Sequence, residues 1–407
     1  MWAWRVMMTT LAVVLVGLSQ GGTALPTTSS SSNDRPIIGI LAQEITGSLV
    51  DILGKILSSK ETVEVLGLDL DKLSSTVSSP EYFFEPHPDA TDEAKDVVSE
   101  NSGSLLEAPL GTEDGEGGAD TIVDTTTPPP HPPLPKNASY IAASYVKFIE
   151  AGGARVVPVF VDKDRAYYEH MMKSINGLLF PGGAVAIDET SAFGRAGKII
   201  YEIAKDMNDR GDVFPLWGTC LGFELLMSLA AGGQEVRSVC DAQNIASRIK
   251  LDSDYADGYL MRHLPKRLIK ALTSEPITSN FHQFCLTPKN FSSFGIDKVF
   301  RPLAYSADRR GVEYLAAVEA WDYPFFAVQF HPEKSPYEWT TKPGHNHISH
   351  TSFAIDTANH FAQVYVNYAR RNKHKFADST EEQRSLIYNY SPIYTGQYSP
   401  MEQIYLF

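Results

Sequence analysis

The sequence predicts an α/β protein of three layers, with a central, mostly parallel sheet and helices on both faces. Three observations lead there. From residue 140 onward, short apolar β-branched runs alternate with stretches of helical periodicity, which is the pattern of βαβ units and a parallel sheet. Two of these runs end in glycine-rich turns, at Pro181-Gly182-Gly183 and at Gly218-Thr219-Cys220-Leu221-Gly222. The chain has 407 residues, 43% of them hydrophobic, enough for one large α/β domain.

Taken in order, the first two dozen residues stand apart. Met1 to Arg5 carries one positive charge, Val6 to Leu18 is nearly all apolar, and Gly22-Thr23-Ala24 offers small residues for cleavage. Residues 1–24 therefore read as a secretory signal peptide, the apolar run being shorter than the ~20 residues a membrane span needs. Pro36 to Ala42 reads as a buried strand. Residues 50–135 then change character. They turn acidic and low in complexity and end in Pro128-Pro129-Pro130-His131-Pro132-Pro133, a composition that buries too little apolar surface to offset chain entropy. This segment is expected to be a largely disordered insertion within a domain spanning 35–407. Residues 51–135 hold 18 acidic and 4 basic residues, which accounts for the whole net charge of −14. So acidic a balance argues against nucleic-acid binding.

Order resumes at Tyr140, where Tyr140-Ile141, Tyr145-Val146 and Phe148-Ile149 recur at helical spacing until Gly152-Gly153. Strands are expected at Arg155–Phe160, Ile175–Phe180 and Val213–Trp217. Helices are expected around Arg165–Lys173, Ala196–Asp209 and from Cys220 to Ala231, the last closed by Gly232-Gly233. Leu315–Glu319 and Pro324–Phe330 read as late strands, and His331-Pro332-Glu333 follows the second directly. A final helix covers about Phe353–Arg371.

Sites in parallel sheets lie at the carboxyl ends of the strands, and the chemistry-bearing residues cluster there. Cys220 occupies a strand-to-helix turn with glycines two residues to either side, a geometry that exposes a nucleophile. The helix dipole behind it is expected to favour thiolate, and the Leu221 N–H to be free for an oxyanion. A cysteine nucleophile needs a base and the base an orienting acceptor. His331 and Glu333, at i and i+2 of an extended segment, project to one side and supply both. Gly182 or Gly183 can offer the second oxyanion donor. Cys240 and Cys285 complete an odd set of three cysteines; either they pair or they stay free. Sequons at Asn137, Asn290 and Asn389 are candidate glycosylation sites in a secreted chain.

Phe180-Pro-Gly-Gly, Trp217-Gly-Thr-Cys220-Leu-Gly and Gln329-Phe-His331-Pro-Glu333 resemble the class I glutamine-amidotransferase-like enzymes, which share a flavodoxin-like arrangement. Arg35-Pro-Ile-Ile-Gly-Ile-Leu, Tyr140-Ile-Ala-Ala-Ser-Tyr-Val-Lys, Asn280-Phe-His282, Pro336-Tyr-Glu-Trp339 and Ser391-Pro-Ile-Tyr-Thr-Gly396 narrow the resemblance to the folate γ-glutamyl hydrolase family, the peptidase C26 type. It covers about Arg35–Glu44 and Lys136 to the last residue. The segment between Glu44 and Lys136 departs from it, since family members join the first strand to the first helix by a short loop. The resemblance implies a cysteine-type omega peptidase that cleaves folate poly-γ-glutamates through a γ-glutamyl thioester. Cys220 would be its nucleophile, His331 its base and acid, and Glu333 the third member. It points to Glu224 and His282 as substrate-binding residues. Such chemistry calls for no metal or organic cofactor. The expected partners are the small-molecule substrate and, as a homodimer, a second copy of the chain. The expected location is the secretory pathway, leading to the extracellular space, lysosome or vacuole, with no membrane attachment after signal removal. Two rivals share parts of this pattern: a glutaminase of the amidotransferase type, and a non-catalytic folate-binding relative.

Overall fold

The computed structural model describes residues 32–45, Leu53 and residues 138–407. The expected signal peptide, the insertion and Asn137 lie outside the described residues, apart from Leu53. The strands are β1 (Ile37–Leu41), β2 (Gln43–Glu44), β3 (Ser139–Ala142), β4 (Arg155–Val159), β5 (Leu178–Phe180), β6 (Leu216–Thr219), β7 (Ser238–Ser247), β8 (Lys250–Leu251), β9 (Thr278–Cys285), β10 (Phe300–Ala307), β11 (Glu313–Ala320), β12 (Phe325–Val328), β13 (Ile393–Tyr394) and β14 (Gln403–Leu406). The helices are α1 (Ala143–Ala151), α2 (Arg165–Ser174), α3 (Ala192–Asp209), α4 (Leu221–Ala230), α5 (Tyr259–Arg262), α6 (Lys266–Ser274), α7 (Pro288–Ser293), α8 (Lys334–Tyr337), α9 (Ser352–Ala369) and α10 (Ser379–Ser385).

Eight strands form the central sheet in the order β4-β1-β5-β6-β12-β11-β10-β8. The pairs from β4 through β12 are parallel, and β11, β10 and β8 add an antiparallel edge. Period-2 alternation sends one strand's side chains into two cores. Ile37 and Leu41 of β1 join the core beneath α2, α3 and α4, whereas Ile38 and Ile40 join the core beneath α1, α6 and α9. Leu178 and Phe180 of β5 face the first core and Leu179 the second. This is the three-layer α/β architecture expected from the sequence. Sequence and structure differ at Tyr140-Ile141, which open the segment as strand rather than helix. β3 is captured between β2 and β14, with Gln43 opposite Tyr140 and Leu406 also opposite Tyr140 on its other side. Pairing with residues far away in sequence overrides the local helical spacing.

Two further points concern single residues. The Nδ2 of Asn290 donates to Val236 O and Ser238 Oγ, and that of Asn389 donates to the carbonyls of Gln383, Arg384 and Leu386. A glycan on either amide would displace hydrogen bonds already made. Among the described residues no helix is long and apolar enough to cross a membrane.

Trp217 is the largest fully buried side chain. Its ring packs among Phe148, Phe361 and Tyr365, and its Nε1 donates to Thr219 Oγ1 at 2.9 Å. Trp217→Ala removes this packing from the strand that carries Cys220, and should cost about 3–5 kcal/mol, read as a lowered midpoint in urea unfolding at unchanged slope.

Candidate active site

Strand order brings the candidate residues together. β5, β6 and β12 are adjacent and parallel, so the turns after Phe180, Thr219 and Val328 open at one end of the sheet. Cys220 takes φ +52° and ψ −105°, a left-handed backbone that L-residues with a Cβ rarely adopt. Its N–H donates to Val328 O and its carbonyl accepts the Glu224 N–H, each at 2.9 Å. The turn is this sharp because α4 runs close over β5. A Cβ at Gly222 would lie 2.1 Å from Phe180 O, so glycine is required there.

His331 follows β12. Its Nδ1 lies 2.7 Å from Glu333 Oε1. That contact assigns the proton to Nδ1, with Nε2 left as the basic nitrogen. A Cβ built on Gly182 would lie 2.7 Å from His331 Cε1 and 3.2 Å from Cys220 Cβ, so the two side chains flank the same glycine. Cys220, His331, Gly182 and Gly183 line one cleft of about 460 Å³. A larger groove of about 750 Å³ runs along α3, but neither cysteine nor histidine lines it.

The oxyanion donors are refined. The Gly182 N–H is already donated to Tyr145 Oη at 2.8 Å. The Gly183 N–H makes no hydrogen bond among the described residues. The Leu221 N–H points to the Cys220 sulfur. Of the two glycines, Gly183 is thus the one whose N–H is unengaged, while the Leu221 N–H is engaged by the sulfur that would attack.

The helix end lowers the Cys220 thiol pKa through the Leu221 N–H, but larger contributions oppose it. Burial pushes the Cys220 thiol well above its usual 9.0, and the nearby carboxylates of Glu224 and Glu333 push it further up, against the lowering hydrogen bond from Leu221. Desolvation and two like charges outweigh one helix end.

Glu224 and His282 do not line the cleft. Glu224 is buried, accepting from Arg237 Nη1 at 2.9 Å and Gln329 Nε2 at 3.0 Å. Burial raises its pKa despite Arg237. His282 is buried too, and desolvation pulls its pKa down to about 3. Its Nδ1 lies 2.9 Å from Phe284 O and 3.7 and 3.6 Å from the sulfurs of Cys240 and Cys285. Those two cysteines form a disulfide, which leaves Cys220 as the free thiol.

Sequence reasoning missed four residues of the cleft. Tyr145 reads as one more apolar helix position, yet its Oη lies 3.4 Å from His331 Nδ1, and burial, then Glu333 and Cys220, raise its pKa. Gln43 donates to Gly182 O at 3.0 Å; a lone amide closing an apolar strand at its carboxyl end was the available signal. Phe281, not its neighbour His282, lines the cleft, and so does Lys334.

A free cysteine on a strained strand-to-helix turn, sharing a cleft with a carboxylate-held histidine on an α/β sheet, defines a cysteine-type hydrolase. Comparison with known proteins gives the family. The Peptidase C26 model matches residues 131–333. The chain is 42% identical over 269 residues to gamma-glutamyl hydrolase of Homo sapiens, covering 66% of this chain and 83% of that protein. It is 37% identical over 270 residues to gamma-glutamyl hydrolase B of Dictyostelium discoideum, covering 66% and 77%. It is 34% identical over 275 residues to gamma-glutamyl hydrolase 1 of Arabidopsis thaliana, covering 67% and 76%. The chain belongs to the γ-glutamyl hydrolase family of C26 peptidases.

The thiol shift has a measurable sign. A group whose pKa is raised keeps its proton through neutral pH. Alkylation of Cys220 by iodoacetamide in the ligand-free protein should therefore climb with pH and reach half its limiting rate only above pH 9.0. A midpoint below 7 would show a preformed thiolate instead.

Proposed function

We propose that the protein hydrolyses the γ-glutamyl bonds of folate and antifolate poly-γ-glutamates through a γ-glutamyl thioester, with Cys220 as nucleophile and His331 as base and acid. The observation that carries this reading is that a Cβ on Gly182 would meet both His331 Cε1 at 2.7 Å and Cys220 Cβ at 3.2 Å, so the two side chains lie beside each other, with Glu333 2.7 Å from the imidazole.

Because the thiol is held protonated, the base must act during attack. His331 Nε2 takes the thiol proton as the sulfur bonds to the γ-carbonyl carbon. The carbonyl oxygen, now an oxyanion, accepts from the N–H groups of Leu221 and Gly183. His331 returns the proton to the α-nitrogen of the departing glutamate, and the C–N bond breaks to leave the thioester. Water then gives its proton to His331 and attacks the same carbon. The second oxyanion collapses, and the sulfur leaves with the proton from His331. Glu333 stabilises the imidazolium at both stages. The Lys334 ammonium, on the cleft wall, offers a polyanionic substrate its counter-charge. Glu224 acts at one remove from the substrate, holding Gln329 and Arg237 beside the nucleophile's helix.

The secretory route is part of the same proposal. The Cys240–Cys285 disulfide supports it, since disulfides persist in oxidising compartments. N-terminal sequencing of protein recovered from the medium of secreting cells should begin after Ala24. Recovery with Met1 retained would exclude cleavage.

Mass spectrometry of products from a pentaglutamyl folate tests the activity. Cys220→Ala should release no glutamate, and His331→Ala should lose about 10⁴-fold in kcat. Glu333→Gln should lose about 10²-fold or more, and Lys334→Ala should raise KM with kcat largely kept. Unchanged glutamate release by Cys220→Ala would refute the assignment. Free glutamine as sole substrate would indicate a glutaminase instead.

A further inference from the structure

β7 and β9 form a ribbon of two strands separate from the central sheet, and two strands alone are marginally stable. Its ladder is also broken twice. The register passes from Val239↔Phe284 to Ala242↔His282, and from Gln243↔Phe281 to Ile245↔Asn280. Each step leaves one extra residue on β7, a β-bulge. Cys240 and Asp241 fall in the first break. Asn244, at φ +57°, falls in the second. The pairs Ala242↔His282 and Gln243↔Phe281 lie between the breaks, and Gln243 and Phe281 both line the cleft.

Backbone pairing is thus interrupted on both sides of this part of the cleft wall, and other contacts hold each break, among them at the first the Asp241 N–H on Asp308 Oδ2 and the Arg309 N–H on Asp241 O. At the second, Asn244 Oδ1 accepts the His347 N–H at 2.9 Å, and Asn244 O accepts Arg309 Nη2 at 2.8 Å. At the first, the Cys240–Cys285 disulfide crosses the ribbon with Cα atoms 5.9 Å apart, closing a loop of sequence separation 45. Its sulfurs rest against His282, the neighbour of Phe281. The Phe281 ring meets His331 edge-on at 5.9 Å, stacks on His345 at 5.8 Å and carries the Lys334 ammonium over its face at 5.2 Å.

We propose that the Cys240–Cys285 disulfide is a positioning element of the active site. By pinning the bulged ribbon it holds Phe281 against His331, so the enzyme is fully active only where this disulfide is closed while the Cys220 thiol is free. This rests on the roles assigned above to Cys220 and His331. Opening the bond with a trialkylphosphine adds two electrons: the phosphine takes the oxygen of water and becomes the oxide, and each sulfur takes one proton.

The test is a cycle of variants on the full chain. It uses a γ-glutamyl amide turned over by the parent and, independently of any substrate, the pH profile of Cys220 alkylation by iodoacetamide. C240A/C285A should lose about tenfold in kcat/KM, mostly in kcat, since misplacing a catalytic group slows the chemical step. Its alkylation profile should also shift. F281A should do the same. The combined variant should be no more than twofold worse than the poorer of the two, because both act through one contact. Phosphine should reproduce the loss in the parent and leave C240A/C285A unchanged. This arm also decides the matter should C240A/C285A fail to fold. The proposal is overturned if C240A/C285A, folded by circular dichroism and assayed well below its Tm, keeps kcat/KM and the alkylation profile within twofold of the parent. It is equally overturned if the two losses multiply. A parent that hydrolyses no γ-glutamyl amide would sink the activity assignment, and the alkylation profile alone would then decide this one.

Discussion

The backbone of Cys220 is the constraint on which the rest of the structure turns. A residue with a Cβ held at φ +52° costs on the order of 1–3 kcal/mol and persists only where its surroundings over-determine it. They do so here from three directions. β12 accepts the Cys220 N–H through Val328 O, α4 begins on its carbonyl, and the close contact of Gly222 with Phe180 O fixes the helix over β5. Each of these contacts needs β5, β6 and β12 to be parallel neighbours, so the sheet order is a requirement of the turn as much as its support. The same order brings Gly182, Cys220 and His331 together without any long loop.

Electrostatics then decides what kind of nucleophile the site contains. Two buried carboxylates, Glu224 and Glu333, lie close enough to Cys220 to raise its pKa, and both serve other partners. Glu333 holds the imidazole. Glu224 ties Arg237 of the chain entering β7 to Gln329 at the end of β12. The carboxylate that holds the histidine therefore also raises the thiol pKa.

Much of this was legible in the sequence, for a physical reason. Cys220 between Gly218 and Gly222, and His331 two residues before Glu333, are local patterns at strand ends, and short-range sterics fix their geometry. What lay out of reach depends on contacts distant in sequence. Tyr140-Ile141 reads as helix until Gln43 and Leu406 are known to flank it. Tyr145 has the spacing of any core tyrosine, and only Gly182 and His331 mark it out. The β7–β9 ribbon, with its two bulges, has no clean alternation to read. The pairing of Cys240 with Cys285 and the turning of His282 away from the cleft were therefore equally hidden.

The same long-range pairing bears on the acidic segment. Gln43 and Glu44 on its near side pair with Tyr140 and Ser139 on its far side, so the chain leaves and rejoins the domain at neighbouring positions. Leu53, within the segment, is buried beside Ile393 and Ile404. Gln43, Tyr140, Ile141 and Ala142 also line the cleft, and Gln43 bridges Tyr140 Oη to Gly182 O. Whatever the segment does, it is tethered by both ends at the rim of the active site.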